Sequence, residues 1–340
     1  MTTFDPSAQP ESSGPHRVGP RLTRLDHAEQ TLSSLWQHAG IELRLYTDNL
    51  FVVTEQRHLT RILKTLDELG PGPTGRQVVV VLGAASGEAE VSLVGAYGSL
   101  VERLVTHAPA DDAAALMAEL LRPAASNHLW WASAQPPGTA VLTGMAQEAD
   151  QLILDTSSFA LPPGLPCPVS DLAWARTARW RELTAELFDD PTAAAHLSEL
   201  EQVTVRFAGD DARPARLFAA WFASRLGWTD LARVQVLHAS DLRVRDRGDL
   251  MDLEMVGGRR DGPDVRFVVE ADGDAAHVLV THDQQFRAFE VNLPPLSLAQ
   301  GLADVMRLPA HDQDFQEAHL LLTHLPAQVP TRAKGAGFHD

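Results

Sequence analysis

Gly75-Arg-Gln-Val78-Val79-Val80-Val81-Leu82-Gly83 is the stretch that decides the fold of this chain. Four β-branched residues in a row, bounded by glycines, fit neither a helical stripe nor an alternating strand. They fit a strand covered on both faces, the setting of a parallel sheet. The segments around it agree. Upstream, Leu50-Phe51-Val52-Val53 is a second short strand, and Leu59, Ile62, Leu63, Leu66 and Leu69 share one helical face until Gly70-Pro71 stops the helix. Downstream come strands at Val91–Val94 and Leu100–Val105, linked through Tyr97-Gly98. A helix from about Asp111 to Arg122 closes at Pro123, and a strand follows at His128–Trp131. A helix from about Thr139 to Ala149 and a strand at Leu152-Ile153-Leu154 complete this half. Apolar strands alternating with helices predict an α/β N-terminal domain with a largely parallel sheet.

Phe159-Ala-Leu-Pro-Pro-Gly-Leu-Pro-Cys-Pro168 holds four prolines and reads as a domain boundary. Beyond it, Ser170 is expected to cap a helix that has Asp171 in its first turn, runs to about Phe188 and is stopped by Asp189-Asp190-Pro191. A strand at Val203–Phe207, a helix at about Arg213–Leu226 and a strand at Val234–Leu237 come next. From 248 to 293 the period changes to two: Met251, Leu253 and Met255 alternate with Asp252 and Glu254, and Val265, Phe267 and Val269 repeat the pattern. With turns at Gly257-Gly258 and Asp272-Gly273, this predicts an α+β C-terminal domain with an antiparallel meander and one wet face. Helices at about Ser297–Arg307 and Asp312–Leu325 end the fold. The proline-rich first residues and the Pro- and Gly-bearing end cannot bury enough surface to order themselves. The expected organisation is a disordered arm over 1–20, an α/β domain over 21–158, a Pro-rich linker over 159–168, an α+β domain over 169–325 and a disordered tail over 326–340.

Composition limits the function. The 340 residues carry a net charge of −17, with 45 acids against 28 bases, and Lys64 and Lys334 are the only lysines. Such a surface repels phosphate backbones and anionic lipid, so neither nucleic acid nor a membrane is an expected partner. Arginines among many acids suit forked salt bridges and protein–protein contact. Cys167 is the single cysteine, which excludes an internal disulfide and a thiolate metal cluster. With no secretory signal at the N-terminus, a cytoplasmic location is expected.

Searches for chemistry fail. No Gly-x-Gly-x-x-Gly and no phosphate-cradling Gly-x-x-x-x-Gly-Lys-Ser/Thr occurs. Gly83-Ala-Ala-Ser86-Gly87 follows a strand but lacks the spacing of a nucleophile elbow. The histidine pairs His277/His282 and His319/His324 are five apart, which misses the i, i+4 spacing of a zinc helix. His311-Asp312-x-Asp314 is explained more simply by an acid-rich helix start than by a metal. No catalytic, cofactor or metal residue is assigned.

Tryptophan is the distinctive feature. Trp130-Trp131 ends a strand; Trp174 and Trp180 flank Arg176, Arg179 and Arg181 on one expected helix; Trp221 and Trp228 lie on and after another. On a continuous helix Trp174 and Trp180 lie about 120° apart, so they cannot share one core centre. Two readings of Trp174 stand: packing under the Pro-rich linker, or an interface anchor formed with arginine, the pairing most enriched at hot spots.

These residues carry a resemblance. Asn127-His-Leu-Trp-Trp131 with Pro136-Pro137, Ala149-Asp150-Gln-Leu-Ile-Leu-Asp155-Thr-Ser157, Ser170-Asp171-Leu172-Ala-Trp174-Ala-Arg176, Trp180-Arg181-Glu182-Leu183 and Trp221-Phe-Ala-Ser-Arg225-Leu-Gly227-Trp228 occur in order. The series resembles the glucose-6-phosphate dehydrogenase assembly protein family, OpcA, from about Leu50 to Leu322. The resemblance implies a cytoplasmic protein that is not an enzyme and needs no cofactor. It implies binding to glucose-6-phosphate dehydrogenase, promotion or stabilisation of that enzyme's active oligomer, and so allosteric activation, support of the oxidative pentose phosphate pathway and NADPH supply. Trp130, Trp131, Asp171, Trp174, Arg176, Trp180 and Arg181 are the motif residues expected near the partner surface or holding its shape. Cyanobacterial members use cysteines for thioredoxin control. Here the segment after Val91 holds none, and a lone Cys167 cannot supply an internal pair. The alternative is a sugar-phosphate-binding α/β enzyme or metabolite sensor, with the Gly83–Gly87 loop as its site.

Overall fold

The computed structural model describes residues 16–40, 47–70, 74–96, 99–134, 138–157, 161, 163–209, 211–239, 250–258, 264–282, 285–307 and 312–325. In chain order the elements begin β1 (His16–Arg24), α1 (Ala28–Ala39), β2 (Asp48–Glu55), α2 (Leu59–Leu69), β3 (Thr74–Leu82), β4 (Glu88–Ala96) and β5 (Ser99–Ala108). They continue α3 (Ala113–Leu120), β6 (Ser126–Trp131), α4 (Thr139–Gln147), β7 (Gln151–Leu154), β8 (Val169–Asp171), α5 (Leu172–Ala175), α6 (Ala178–Leu187) and α7 (Pro191–Ala194). Then follow β9 (Leu200–Phe207), α8 (Arg213–Arg225), β10 (Val234–His238), β11 (Leu250–Gly258), β12 (Asp264–Asp272), β13 (Ala275–His282), β14 (Gln285–Asn292), α9 (Leu298–Arg307) and α10 (Gln313–Leu322). Contacts divide the chain into two compact units that interleave in sequence. The first takes residues 1–154, 161–170 and 298–310, and the second takes 155–160, 171–297 and 311–340.

The first unit is the α/β domain that the valine run implies. Its eight-stranded sheet has the order β1-β4-β5-β3-β2-β6-β7-β8. Strands β5, β3, β2, β6 and β7 pair in parallel, and β4 and β1 extend the sheet antiparallel. Val78 to Val81 lie at its centre with no exposed area. Burying each such side chain stabilises by roughly 1.5–3 kcal/mol, which makes this strand the anchor of the unit. Helix α1 packs on β1 and β4, α2 packs on β2 and α9, and α3 packs on α4.

Two features of this unit differ from the expectation. Residues 16–20, assigned to a disordered arm, begin β1, because pairing with β4 orders a segment whose side chains bury little. The remaining arm residues 1–15, the tail 326–340 and Tyr97-Gly98 lie outside the described residues. Helix α1 is an addition to the expected elements: Ala28, Leu32, Leu35 and Trp36 form its buried stripe, and Gly40, at φ 70°, closes it in the left-handed region.

The second unit contains a six-stranded sheet in the order β10-β9-β11-β12-β13-β14. Strands β11 to β14 form the expected antiparallel meander, and β9 pairs antiparallel with β11 and parallel with β10. Leu253, Met255, Phe267, Val269 and Val278 point into a core shared with α6, α8 and α10. The unit is α+β.

The expected helix from Ser170 to Phe188 is a correction. Ser170 lies in β8, where its hydroxyl accepts a hydrogen bond from Gln151 at 2.6 Å. Asp171 is the cap instead, its Oδ1 accepting from the Ala173 N–H at 2.8 Å. The chain then breaks at Arg176-Thr177 between α5 and α6. Because the helix is interrupted, the rotation argued for Trp174 and Trp180 fails, and both rings sit in the same core cluster.

Candidate functional site

Five of the seven motif residues come together in the second unit, around the break between α5 and α6. Asp171 ends β8 and is fully buried, accepting from the Thr156 N–H at 3.2 Å as well as from Ala173. The Thr156 hydroxyl also donates to its Oδ2. Burial pushes the Asp171 carboxyl up to about 6, with the charge of Asp155 adding to the rise and the bonds from Thr156 and Ala173 opposing it. Thr156 Oγ1 accepts in turn from Arg213 Nε at 3.0 Å, and Arg213 Nη2 reaches His319 Nδ1 at 3.4 Å. Burial lowers the His319 pKa, and Arg213 lowers it further.

Arg176 occupies the break. Its Nη1 and Nη2 donate to the two Asp155 oxygens at 2.9 and 3.1 Å, a forked pair, and Nη2 also reaches Ser157 Oγ at 2.8 Å and Asp211 Oδ2 at 3.3 Å. Burial works against the Asp155 charge, but Arg176 outweighs it and holds that carboxyl below its usual range. Two aspartates in one cluster are thus pushed in opposite directions, one by desolvation and one by its guanidinium.

Trp174 and Arg181 form the other side. The Trp174 Nε1–H donates to Asp312 Oδ2 at 2.6 Å, and its ring centre lies 6.0 Å from that of Phe315. Arg181 stacks over the ring at 3.6 Å and is fixed by a bond from its Nε to Thr177 Oγ1 at 3.1 Å. Burial lowers the Arg181 pKa to about 10, against the pull of Asp312, Asp314 and Glu182. Asp312 meanwhile caps α10 through the Phe315 N–H, as its helix-start reading implies. Trp174 therefore packs on α10. Trp180 is buried in the same core.

Trp130 and Trp131 are not part of this cluster. They end β6 in the first unit, opposite Val52 and Val53 of β2, and both are buried. The sequence motifs contain Asp155, Thr156 and Ser157 without giving them a role, and sequence reasoning misses Asp211 and Arg213. The available signal is the polar triplet directly after the apolar strand Leu152–Leu154.

Cys167 is buried in the first unit. Burial, with Asp150 adding to it, pushes the thiol up to about 11 and holds it protonated. The Gly83–Gly87 loop is exposed: the Gly83 N–H donates to Ala108 O of β5 at 3.0 Å, and the Glu88 N–H to Ser86 Oγ at 3.2 Å. No helix among the described residues is long and apolar enough to cross a membrane.

Residues 73–165 match the N-terminal domain, and residues 167–319 the C-terminal domain, of the OpcA family described as glucose-6-phosphate dehydrogenase subunit. An OpcA of Synechocystis sp., named for the OxPP cycle, is 29% identical over 127 residues, 34% of this chain and 27% of its own length. Its namesake in Nostoc punctiforme is 34% identical over 110 residues, 29% of this chain and 24% of its own length. The matched stretch thus spans about a quarter of these relatives. Among solved structures, an oxidoreductase from Sinorhizobium meliloti superposes with a TM-score of 0.39 at 9% identity, over 82% of this chain and 96% of the other. A score that low carries no argument.

Proposed function

The chain belongs to the glucose-6-phosphate dehydrogenase assembly protein (OpcA) family, and from that premise we propose that it binds glucose-6-phosphate dehydrogenase in the cytoplasm and favours the enzyme's active oligomer. On this reading it is a protein-binding activator that supports the oxidative pentose phosphate pathway and NADPH supply, without catalysing a reaction itself. The observation that carries the reading is the Asp171–Arg176 cluster, which lies within the family match. Its charged groups answer one another: Arg176 holds Asp155 and Asp211, Thr156 joins Asp171 to Arg213, and Arg181 covers Trp174. The network fixes the break between α5 and α6, and within it the buried Arg176 Nε has no partner among the described residues. Asp171, Trp174, Arg176, Trp180 and Arg181 then shape the second unit for the partner, and Trp130 and Trp131 shape the first.

A partner shifts an oligomeric equilibrium only by its differential affinity for the two states, and a tenfold shift needs about 1.4 kcal/mol. The test is the rate of the same organism's glucose-6-phosphate dehydrogenase, titrated with this protein at fixed substrate. A saturating rise supports the reading, and a flat rate across salt and substrate concentrations contradicts it. Trp174→Phe keeps an aromatic six-membered ring but loses the pyrrole half of the indole and with it the bond to Asp312. A lowered melting temperature together with weaker activation would mark Trp174 as a support, and weaker activation alone would mark it as a contact.

A further inference from the structure

Strand β14 is an outer strand of the second sheet, and among the described residues nothing pairs beyond it. Seven of its eight residues are exposed, while Val291 packs against the edge of the core. Register alternates the faces: Phe289 lies opposite Val278 on the core side, and Phe286 lies opposite Thr281 on the other. They are 45% and 72% exposed, and the strand borders a groove of about 430 Å³ that includes Val268, Leu279 and Ala288. Exposed apolar residues on both faces of an unpaired strand ask for a neighbour in the plane of the sheet.

The other outer strands carry protection that β14 lacks. Strand β1 has a register break between Val18 and Arg21, Pro20 inside it, and Arg17, Arg21 and Arg24 along it. Strand β8 has three residues and β10 has five. Strand β14 runs in unbroken register over eight pairs, without proline or lysine. In a chain of net charge −17, it carries one base and one acid: Arg287, 75% exposed and reaching Asp190 at 3.3 Å through one nitrogen, and Glu290.

We propose that β14 pairs antiparallel with β14 of a second copy of this chain, about a two-fold axis at Ala288, so that two sheets join into one. The strand's own sequence selects this occupant. Centred at Ala288, the pairing sets Phe289 across from the second copy's Arg287, a cation–π pair made twice by symmetry. It sets Phe286 across from Glu290 and leaves no like charges opposed. Centring one residue earlier would oppose two guanidiniums, which is unfavourable. The free N–H and C=O groups of the outer edge are satisfied in the same step. This inference does not rest on the dehydrogenase-binding reading.

Light scattering on the full chain, run from low micromolar to sub-millimolar concentration, is expected to give a dimer. In the Ala288→Cys variant the two thiols meet on the axis, so mild oxidation is expected to give a reducible covalent dimer, with buried Cys167 taking no part. Ala288→Glu opposes two carboxylates and is expected to raise the dimer dissociation constant at least tenfold at an unchanged melting temperature. If that variant misfolds, the Ala288→Cys cross-link decides alone. A wild type that stays monomeric overturns the proposal, as does an Ala288→Cys protein that fails to cross-link. A monomeric wild type whose Ala288→Glu variant no longer activates the dehydrogenase overturns it as well, and assigns the strand to that protein.

Discussion

Arg76 and Arg176 each gather carboxylates around one guanidinium, yet their surroundings differ. Arg76 stands on β3, directly opposite Glu102 of β5, and both side chains are 1% exposed. Its Nε donates to Glu102 at 3.0 Å, Nη1 to the Leu120 carbonyl at 2.7 Å and Nη2 to Glu29 at 2.6 Å, while Trp36 Nε1 donates to the other Glu102 oxygen at 2.6 Å. Arg176 sits at a helix break, with its side chain 20% exposed and that of Asp155 32% exposed. The first arrangement lies inside a sheet and ties α1 and the end of α3 to it. The second is half-buried and holds the chain where α5 gives way to α6. The same residue type is fully buried in one unit and half-buried in the other, and the cost of removing it should follow burial.

Arg76→Ala is the severest test of that difference. It leaves Glu102 buried without its guanidinium, and stripping one partner from a buried pair costs about 3–5 kcal/mol. Urea unfolding followed by tryptophan fluorescence is expected to show a loss of this size. A loss below about 1 kcal/mol would mean that the pair behaves as a surface pair.

Asp171→Asn comes next. The folded pKa of about 6 lies above the ordinary value of 3.8, so the folded chain keeps a proton that the unfolded chain has released between those values. Its contribution to stability is therefore full below about pH 4 and is lost as pH rises through about 6. Asn keeps the capping oxygen and cannot ionise. The variant is expected to be more stable than wild type near neutral pH, by up to about 3 kcal/mol, and to lose the advantage as the solution is acidified. Asp155 has the opposite sign: Arg176 lowers its pKa, so its contribution is present above the ordinary value and is lost as pH falls. Thermal melts across pH check both slopes, and a variant that tracks wild type at every pH would show Asp171 to be ordinarily ionised.

Arg176→Ala is expected to cost about 1–2 kcal/mol, because water reaches Asp155 once the guanidinium is gone. A cost matching that of Arg76→Ala would erase the contrast. Arg225→Ala marks the low end. That guanidinium bonds Asp314 at 3.0 Å and also Glu317, with all three side chains about 40% exposed. Its loss is expected to cost under about 1 kcal/mol, and less at high salt.

The sequence was readable where burial imposes a strict period. The valine run, the leucine stripe of α2 and the alternation of β11 and β12 each have one apolar solution, and the structure contains them. It was unreadable where long-range pairing decides. Nothing local marks residues 16–20 as a strand, because β4 supplies the partner. Nothing local breaks a helix at Arg176-Thr177 either: the partners that hold Arg176 lie at Asp155, Ser157 and Asp211, and the ring bond of Trp174 ends at Asp312. The tryptophan motifs lie next to this cluster in sequence, while the geometry inside it comes from residues far along the chain.

On the proposed reading, this protein favours an assembled form of glucose-6-phosphate dehydrogenase. The most direct measurement is the mass of that enzyme in solution, alone and with increasing amounts of this chain, at a concentration where the enzyme alone is partly dissociated. A complex of fixed composition is expected, with an enzyme content that matches the larger oligomer, appearing in step with the rise in rate. An enzyme mass distribution unchanged at saturating chain, or a complex containing only the smaller form, would contradict it.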